Sequence, residues 1–244
     1  MRIDLERMQD DFRIAQSGKR SRHSPADRTE PSLFQYDYLL LNALSRDIAR
    51  LLKLVPDRPA RALDLGSDKC PYRSWLEAKG FEVRTIDISP GSGADYSGTV
   101  EATGLPDDSF DLVLCTQVLE HCDNPWQGVR EIRRILSPGG HAVLSVPHVW
   151  FYHPHPKDHW RFTQEGLIRL CRDGGLEPLV MYGQGGSLLC AAQVLNFLAY
   201  GLLGRGGAPL YAVVNALGAL ADRLVPNTLF CSNFACLVQK AREG

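Results

Sequence analysis

The sequence predicts an α/β protein in which helices cover both faces of a parallel sheet. The run R-A-L-D-L-G at 61–66 is short and apolar and ends in Gly, which is typical of a buried strand that leads into a tight turn. The run F-D-L-V-L-C at 110–115 has the same buried-strand pattern. Strand and helix patterns then alternate along the chain, which indicates crossover connections between parallel strands.

Residues 1–58 precede this alternation and are predicted to hold helices and a linker. Residues 3–16 place their apolar side chains on roughly one side of a short helix. Residues 17–31 contain almost no apolar side chain, as expected of a linker. A helical period returns over 33–54, and two prolines end it. We expect this helix to pack on the sheet edge or over the mouth of a ligand site.

Residues 59–186 are predicted to form the core, and 227–244 to add its last strand and a tail. The predicted strands are 61–65, 81–88, 99–102, 110–115, 141–146, 176–182 and 229–239. Helices are predicted over 72–79, from Pro125 to Leu136 after the cap residue Asn124, and over 163–171 after the cap residue Thr163. The run S-P-G-G at 137–140 predicts a turn.

Residues 187–226 are predicted to be an apolar helical insertion. Its two segments, 187–203 and 208–224, are joined by G-R-G-G and interrupted by a few polar residues. A helical hairpin that packs on the domain or pairs with a second copy is one interpretation. Peripheral contact with a bilayer surface is the other. A spanning pair is disfavoured, since the flanking strands must return to one sheet.

Composition and charge restrict the function classes. The chain has 244 residues and a formal net charge of −1, which argues against a nucleic-acid partner. Its seven cysteines include no C-x-x-C pair, so reduced thiols in a cytoplasmic protein are expected. The charged N-terminus does not have the pattern of a signal peptide.

Three acids lie at successive strand ends: Asp64, Asp87 and Glu101. An acid that ends the second strand can accept hydrogen bonds from ribose hydroxyls, and an acid one strand on can reach an adenine amino group. Any one of them alone is better explained as a solvated strand end. The three together, with a Gly turn after the first, favour a nucleoside-containing ligand.

The chain resembles class I S-adenosylmethionine-dependent methyltransferases, in particular the type 11 branch, over roughly residues 60–182. The motifs that carry the resemblance are A-L-D-L-G-S at 62–67, T-I-D-I at 85–88, E-A-T-G-L-P at 101–106, S-F-D-L-V-L-C-T-Q-V-L-E-H at 109–121 and R-R-I-L-S-P-G-G at 133–140. The resemblance implies a Rossmann-like, seven-stranded, mostly parallel sheet with the helical hairpin inserted before the last strand. It also implies S-adenosylmethionine as the cofactor.

The same resemblance implies cofactor-binding roles. Asp64, Gly66 and Ser67 would lie near the methionine part, Asp87 would hold the ribose, and Ile88 would pack on the adenine. Glu101 and Ala102 would read the adenine edge, and Thr116 and Gln117 would line the floor. The chain departs from the family pattern at S-D-K-C after Gly66, where further glycines are usual. This departure predicts a reshaped loop or weaker cofactor binding.

The loop W-F-Y-H-P-H-P-K-D-H-W-R-F-T at 150–163 follows a strand at the edge where such sheets bind substrates. It resembles the loop Y-H-P-x-P-x-D-Y-W-R-F-T of a methyltransferase subgroup associated with cell-surface polysaccharide genes, with His159 in place of Tyr. For a hydroxyl acceptor, His153 is the first candidate base, with Asp158 to orient it, and His155 is the second. Tyr152, His159, Trp160 and Arg161 are candidate substrate-binding residues, although Arg161 can equally pair with Asp158.

Three functional hypotheses follow. The first is methyl transfer to a small-molecule, sugar or lipid-linked glycan acceptor, with oxygen as the expected acceptor atom. The second is a non-catalytic cofactor-binding or interaction protein, motivated by the altered turn. The third is a metal hydrolase, because the histidine run is similar to an H-x-H-x-D-H zinc motif. That run is one residue too long, so we expect no metal site there.

Overall fold

A computed structural model describes residues 28–57, 60–66, 69–89, 92–153, 157–227 and 230–242. The predicted helix over 3–16 and most of the predicted linker lie outside the described residues. The strands are β1 Ala60–Leu65, β2 Phe81–Asp87, β3 Tyr96–Ser97, β4 Phe110–Thr116, β5 Leu136–Pro147, β6 Leu176–Gln184 and β7 Asn233–Lys240. The α-helices are α1 Tyr38–Leu52, α2 Arg73–Ala78, α3 Pro125–Ile135, α4 Gln164–Asp173, α5 Ser187–Leu203 and α6 Ala208–Leu224.

The seven strands form one sheet in the order β3-β2-β1-β4-β5-β7-β6. Strands β3, β2, β1, β4 and β5 pair in parallel, whereas β7 lies antiparallel to both β5 and β6. The predicted mostly parallel seven-stranded sheet is therefore confirmed. The carboxyl ends of β1, β2 and β4 meet at one edge of the sheet, as parallel strands require.

Two predicted elements are wrong. The third strand is Tyr96–Ser97 rather than 99–102. The backbone groups of Thr99 and Ala102 hydrogen-bond to each other, so they do not pair with β2. The predicted turn at 137–140 is the beginning of β5. A register shift between Phe110 and Leu112 and a positive φ of 77° at Gly139 accommodate these residues within the strand.

The sheet separates two apolar cores. Helices α3 and α4 cover one face, and α1 and α2 cover the other. The predicted helix caps are confirmed, since the side chains of Asn124 and Thr163 accept hydrogen bonds from the first turns of α3 and α4. Three leucines of α1, at positions 40, 41 and 44, also line a cavity at the sheet edge. This helix therefore packs on the face of the sheet rather than on its edge, and it also borders the cavity.

Helices α5 and α6 form the predicted hairpin, and its polar residues face inward. Gln193 donates to the Tyr36 carbonyl and accepts from the Leu40 N–H, and Asn215 donates to two backbone carbonyls of the chain before α1. Asn196 and Asn215 bond each other at 2.7 Å. The outer face is apolar, and its exposed side chains include Leu195, Leu198, Leu202, Leu203, Val213, Leu217, Leu220 and Leu224. By length and composition, the stretch 187–224 could cross a membrane.

Candidate functional site

A cavity of about 580 Å³ lies at the carboxyl ends of β1, β2 and β4. Its lining includes the predicted cofactor residues Gly66, Asp87, Ile88, Glu101 and Gln117. The same lining also includes Val118, His121, Cys122, Asp123, Trp150, His153 and Lys157. The structure therefore brings part of the predicted cofactor set and part of the 150–163 loop to one cavity.

Gly66 makes the turn after β1. Its φ is 76°, and a Cβ at this position would lie 2.7 Å from the Val118 side chain. A side chain is therefore excluded by both backbone conformation and space. Its N–H donates to the Ile86 carbonyl at 2.9 Å, which fixes the turn against β2. The cavity is bounded here by bare backbone, as the sequence predicts.

Two carboxyl groups lie on the same cavity wall. Oδ1 of Asp87 accepts from the Ser89 N–H at 2.7 Å, and Oε1 of Glu101 accepts from the Asn124 N–H at 2.6 Å. These bonds hold both side chains at the wall. Ile88 lies beside them and is 57 % exposed, so an apolar surface is available next to the two acids.

Gln117 also lines the cavity, with an unusual backbone conformation. Its φ is 57°, which a side chain seldom adopts. The residue is held to Ser145 of β5 by a backbone bond of 2.8 Å and a side-chain bond of 2.9 Å. Such a constrained residue at the end of a central strand is typical of a functional turn.

Three other predicted cofactor residues do not line the cavity, namely Asp64, Ala102 and Thr116. Ser67 lies outside the described residues. Side chains alternate along β1, so Leu63 and Leu65 face one core while Asp64 faces the other. Asp64 is buried there beside the Cys70 thiol, which hydrogen-bonds to it. Burial raises the pKa of Asp64 to about 6, although the Cys70 bond opposes this shift.

His153 lines the cavity, and Asp158 lies behind it. The Asp158 carboxylate accepts from the His153 N–H at 2.8 Å and lies 3.3 Å from His153 Nδ1. Arg161 donates to both oxygens of Asp158, at 2.5 and 2.7 Å, and to the Phe151 carbonyl. Burial alone would raise the pKa of Asp158, but Arg161 and the His153 N–H outweigh it and hold this pKa below its usual range. Of the two alternatives for Arg161, the structure shows pairing with Asp158.

The remaining candidates in the loop lie outside the cavity lining. His159 Nε2 is 3.1 Å from Asp123, and the Trp160 indole donates to the Cys122 carbonyl at 2.9 Å. Tyr152 is 39 % exposed and does not border the cavity. His155 lies outside the described residues. The described members of the histidine run therefore do not converge on one point, as a zinc motif would require.

Sequence reasoning missed two residues of the site, Glu120 and His121, in a short 3-10 helix at Leu119–His121. Both belong to the V-L-E-H run, to which the family resemblance assigns no chemical role. Glu120 is fully buried, and burial raises its pKa to about 8. Burial lowers the pKa of His121, which keeps this imidazole neutral. An acid and a histidine directly after a buried strand are the signal that could have found them.

Comparisons with known proteins agree on a family. A family model described as a methyltransferase domain matches residues 36–177, which is more than half of the chain. An uncharacterized methyltransferase of Mycobacterium ulcerans is 48% identical over 151 residues, covering 55% of this chain and 59% of the relative. The chain thus spans about three fifths of the length of that relative.

Solved structures show the same fold at low identity. An S-adenosylmethionine dependent methyltransferase from Mesorhizobium loti has a TM-score of 0.55 and 16% identity, covering 81% of this chain and 98% of that one. The [4+2]-cyclase SpnF has a TM-score of 0.55 and 19% identity, covering 82% and 83%. The fold alone therefore does not determine the reaction.

The buried Asp64 predicts a pH-dependent stability. Its native pKa of about 6 is above the ordinary value of 3.8, so the native state binds more protons and loses stability as pH rises through this interval. Asp64→Asn has no carboxyl group at this position, so this fall in stability with rising pH should be absent from the variant. Relative to the wild type, the variant should gain up to about 3 kcal/mol in free energy of unfolding between pH 3.5 and 7.

Urea unfolding at a series of pH values measures this difference. The control Asn42→Ala on α1 removes no ionisable group, so its difference from the wild type should stay constant with pH. A constant difference for Asp64→Asn as well would contradict the assignment of a raised pKa to this carboxyl group.

Proposed function

The chain belongs to the methyltransferase domain family, and we propose that it transfers a methyl group from S-adenosylmethionine to the hydroxyl oxygen of a small-molecule, sugar or lipid-linked glycan acceptor. S-adenosylmethionine is the cofactor of this family of folds. The observation that carries the proposal is the single cavity, which joins the predicted nucleoside-binding residues to His153.

The residues at one end of the cavity fit an adenosyl group. The Asp87 carboxylate is positioned for ribose hydroxyls, and the exposed face of Ile88 for the adenine ring. Glu101 has one oxygen bound to the Asn124 N–H and lies where an exocyclic amino group would be recognised. The bare backbone of Gly66 allows close approach of the remainder of the ligand.

When bound, this cofactor supplies an electrophilic methyl group on a positively charged sulfur. The protein then has to align an acceptor oxygen with that methyl carbon and exclude water. Such alignment can contribute roughly 7–11 kcal/mol. The walls beyond Gly66, formed by Val118, Trp150 and the leucines of α1, are apolar and suit this role.

We propose that His153 assists at the acceptor oxygen by binding the hydroxyl group and favouring loss of its proton. Its ring lines the cavity, and the Asp158 carboxylate lies 3.3 Å from its Nδ1, which supports the proposed orienting role of Asp158. His121 lies beside it, with the two ring centroids 5.2 Å apart. The proposed acceptor site therefore presents two imidazoles, and Asp123 and Lys157 line the same cavity.

We also propose that the outer face of the α5–α6 hairpin contacts a bilayer, which suits a lipid-linked acceptor. Within 187–224, which the structure describes in full, the exposed charged residues are Arg205 and Arg223. Both are cationic and lie at the two ends of the hairpin, as expected of a surface that meets anionic headgroups. Phe197 on the hairpin stacks on Phe151 at 4.2 Å, so the hairpin is packed against the acceptor loop.

The nucleoside end of the cavity can be tested with S-adenosylhomocysteine. Asp87→Ala should weaken its binding by about 10- to 100-fold, because hydrogen bonds to a charged group contribute roughly 1.5–3 kcal/mol. Isothermal titration calorimetry measures the effect. The control Asp173→Ala, on the surface of α4, should bind as the wild type does. Unchanged binding by Asp87→Ala would place the nucleoside elsewhere.

The acceptor end is tested by transfer of labelled methyl from S-adenosylmethionine to components of an extract of the native host. His153→Ala should reduce transfer by at least about 100-fold, the usual scale for loss of proton-transfer assistance. Its binding of S-adenosylhomocysteine should stay within a few-fold of the wild type. His141→Ala, in the first half of β5, is the matched control and should retain transfer.

If the wild type binds the cofactor but transfers no labelled methyl group to any component of the extract, the result supports the second hypothesis, a non-catalytic cofactor-binding protein. Full transfer by His153→Ala would instead remove this residue from the mechanism.

Flotation with vesicles of phosphatidylglycerol and phosphatidylcholine tests the hairpin. The double variant Leu202→Glu with Leu217→Glu should bind at least about tenfold more weakly, because each leucine contributes roughly 1.5–3 kcal/mol when buried. Leu54→Glu changes an exposed leucine that follows α1 and should leave binding unchanged. If the wild type does not bind vesicles but forms a dimer, and the double variant is monomeric, the outer face is instead an interface between two copies of the chain.

A further inference from the structure

The side chains of Glu120, His121 and His153 form a cluster at the acceptor end of the cavity, here named the Glu–His–His cluster. Their potential ligand atoms all lie within 4.8 Å of one another. Nε2 of His121 lies 3.8 Å, and Nε2 of His153 lies 4.0 Å, from the same Oε1 atom of Glu120. Among the described residues of the 150–163 loop, His153 is the one that belongs to this cluster.

The other ring nitrogens decide what the two Nε2 atoms can do. Nδ1 of His121 donates to the Lys157 carbonyl, and Nδ1 of His153 donates to the Phe151 carbonyl at 3.0 Å. Since a carbonyl oxygen only accepts, each Nδ1 carries a proton, and Nε2 is the nitrogen of each ring that remains to coordinate an ion beside Glu120. Asp158, 3.3 Å from His153 Nδ1, favours the same tautomer over the longer 3.4 Å contact with Arg161.

The Glu120 carboxyl group is fully buried, and neither of its oxygens has a hydrogen-bond partner among the described residues. The two Nε2 atoms and the Glu120 carboxyl group therefore face one another at 3.8 and 4.0 Å, and neither separation is short enough for a hydrogen bond. Buried acceptors without partners are unfavourable and rare in proteins. One cation at the centre of the cluster would satisfy all three groups at once.

We propose that the Glu–His–His cluster binds one divalent transition-metal ion, and that this ion binds the acceptor oxygen; the second part rests on the proposed function. Two imidazoles and one carboxylate suit iron, cobalt or zinc and leave positions open for other ligands. Metal bonds of about 2.1 Å place neighbouring ligand atoms roughly 3.0–3.5 Å apart. The observed separations of 3.8 and 4.0 Å would need to close by roughly 0.3–1.0 Å, and the two histidine nitrogens, which lie within 4.8 Å, by at most about 1.8 Å.

The surroundings of the cluster match those of metal-binding histidines. Such residues usually donate their second ring N–H to a carbonyl or carboxylate, which fixes the tautomer and the ring orientation. Both histidines here do so, through the Lys157 and Phe151 carbonyls. The anchoring bonds are therefore in place before any ion arrives, which lowers the cost of ordering the ligands.

With a metal ion at this position, Nε2 of His153 would hold the ion and could not also take the acceptor proton, so the ion would replace His153 in activating the acceptor. An alcohol bound to the ion loses its proton more readily, as metal-bound water does. The acceptor O–H bond would then break, and its proton would pass to solvent outside the cavity. The oxygen then forms a bond to the methyl carbon while the carbon–sulfur bond breaks, and the electron pair of that bond stays on sulfur.

Titration with Co²⁺ tests the proposal, with calorimetry for affinity and visible absorption for imidazole coordination. The wild type should bind one ion, and Glu120→Gln should weaken binding by at least tenfold. This substitution preserves the size of the side chain and removes its charge. His121→Asn should weaken binding similarly. His159→Asn is the control from the histidine run and should bind Co²⁺ as the wild type does.

Absence of Co²⁺ binding by the wild type would overturn the proposal, as would equal binding by Glu120→Gln. Loss of binding in His159→Asn would overturn it too, because the site would then be the histidine run. Titration of S-adenosylhomocysteine on the same samples separates this proposal from the proposed function. Binding of S-adenosylhomocysteine but not of Co²⁺ would support the proposed function and contradict the metal site. Binding of Co²⁺ but not of S-adenosylhomocysteine would support the metal site and contradict the proposed function.

Discussion

The parallel pairing of β1 with β2 and β4 is the constraint on which the rest of the site depends. Because the three strands run in the same direction, their carboxyl ends and the turns that follow them meet at one edge. Gly66, Asp87 and Gln117 come from separate parts of the chain and reach one cavity for this reason alone. The close approach of Gly66 to Val118 keeps that cavity narrow, so a larger residue at 66 would separate β1 from β4 at their ends.

The second constraint is electrostatic. The cavity is lined by carboxyl groups and by the imidazoles of His121 and His153, and the buried Glu120 lies beside those imidazoles. A buried carboxyl group without partners costs stability, so its presence beside two oriented histidines calls for a function rather than a packing role. The ion pair of Asp158 with Arg161 holds the loop that carries His153, and thereby fixes the distance between His153 and Glu120.

Much of this architecture could be predicted from the sequence, since apolar runs, cap residues and glycines act locally. The helix that begins at Pro125 and the hairpin over 187–224 are examples. The antiparallel β7 could not be foreseen, because strand direction depends on how the hairpin returns the chain to the sheet. The position of Asp64 at a strand end predicts a contact with the ligand. Side-chain alternation along β1 instead directs it to the face of the sheet opposite Leu63 and Leu65. The Glu–His–His cluster joins residues more than thirty positions apart, and no local pattern encodes such proximity.

The central claim is that the edge formed by the first strands binds an adenosyl group, with its sulfur directed towards His153. A crystal structure of the protein with S-adenosylhomocysteine tests this most directly. The account predicts ribose hydroxyls at Asp87, the adenine ring against Ile88 and beside Glu101, and the sulfur beyond Gly66 on the side of the two imidazoles. A nucleoside bound in another cavity, or one whose sulfur points away from His153, would contradict it.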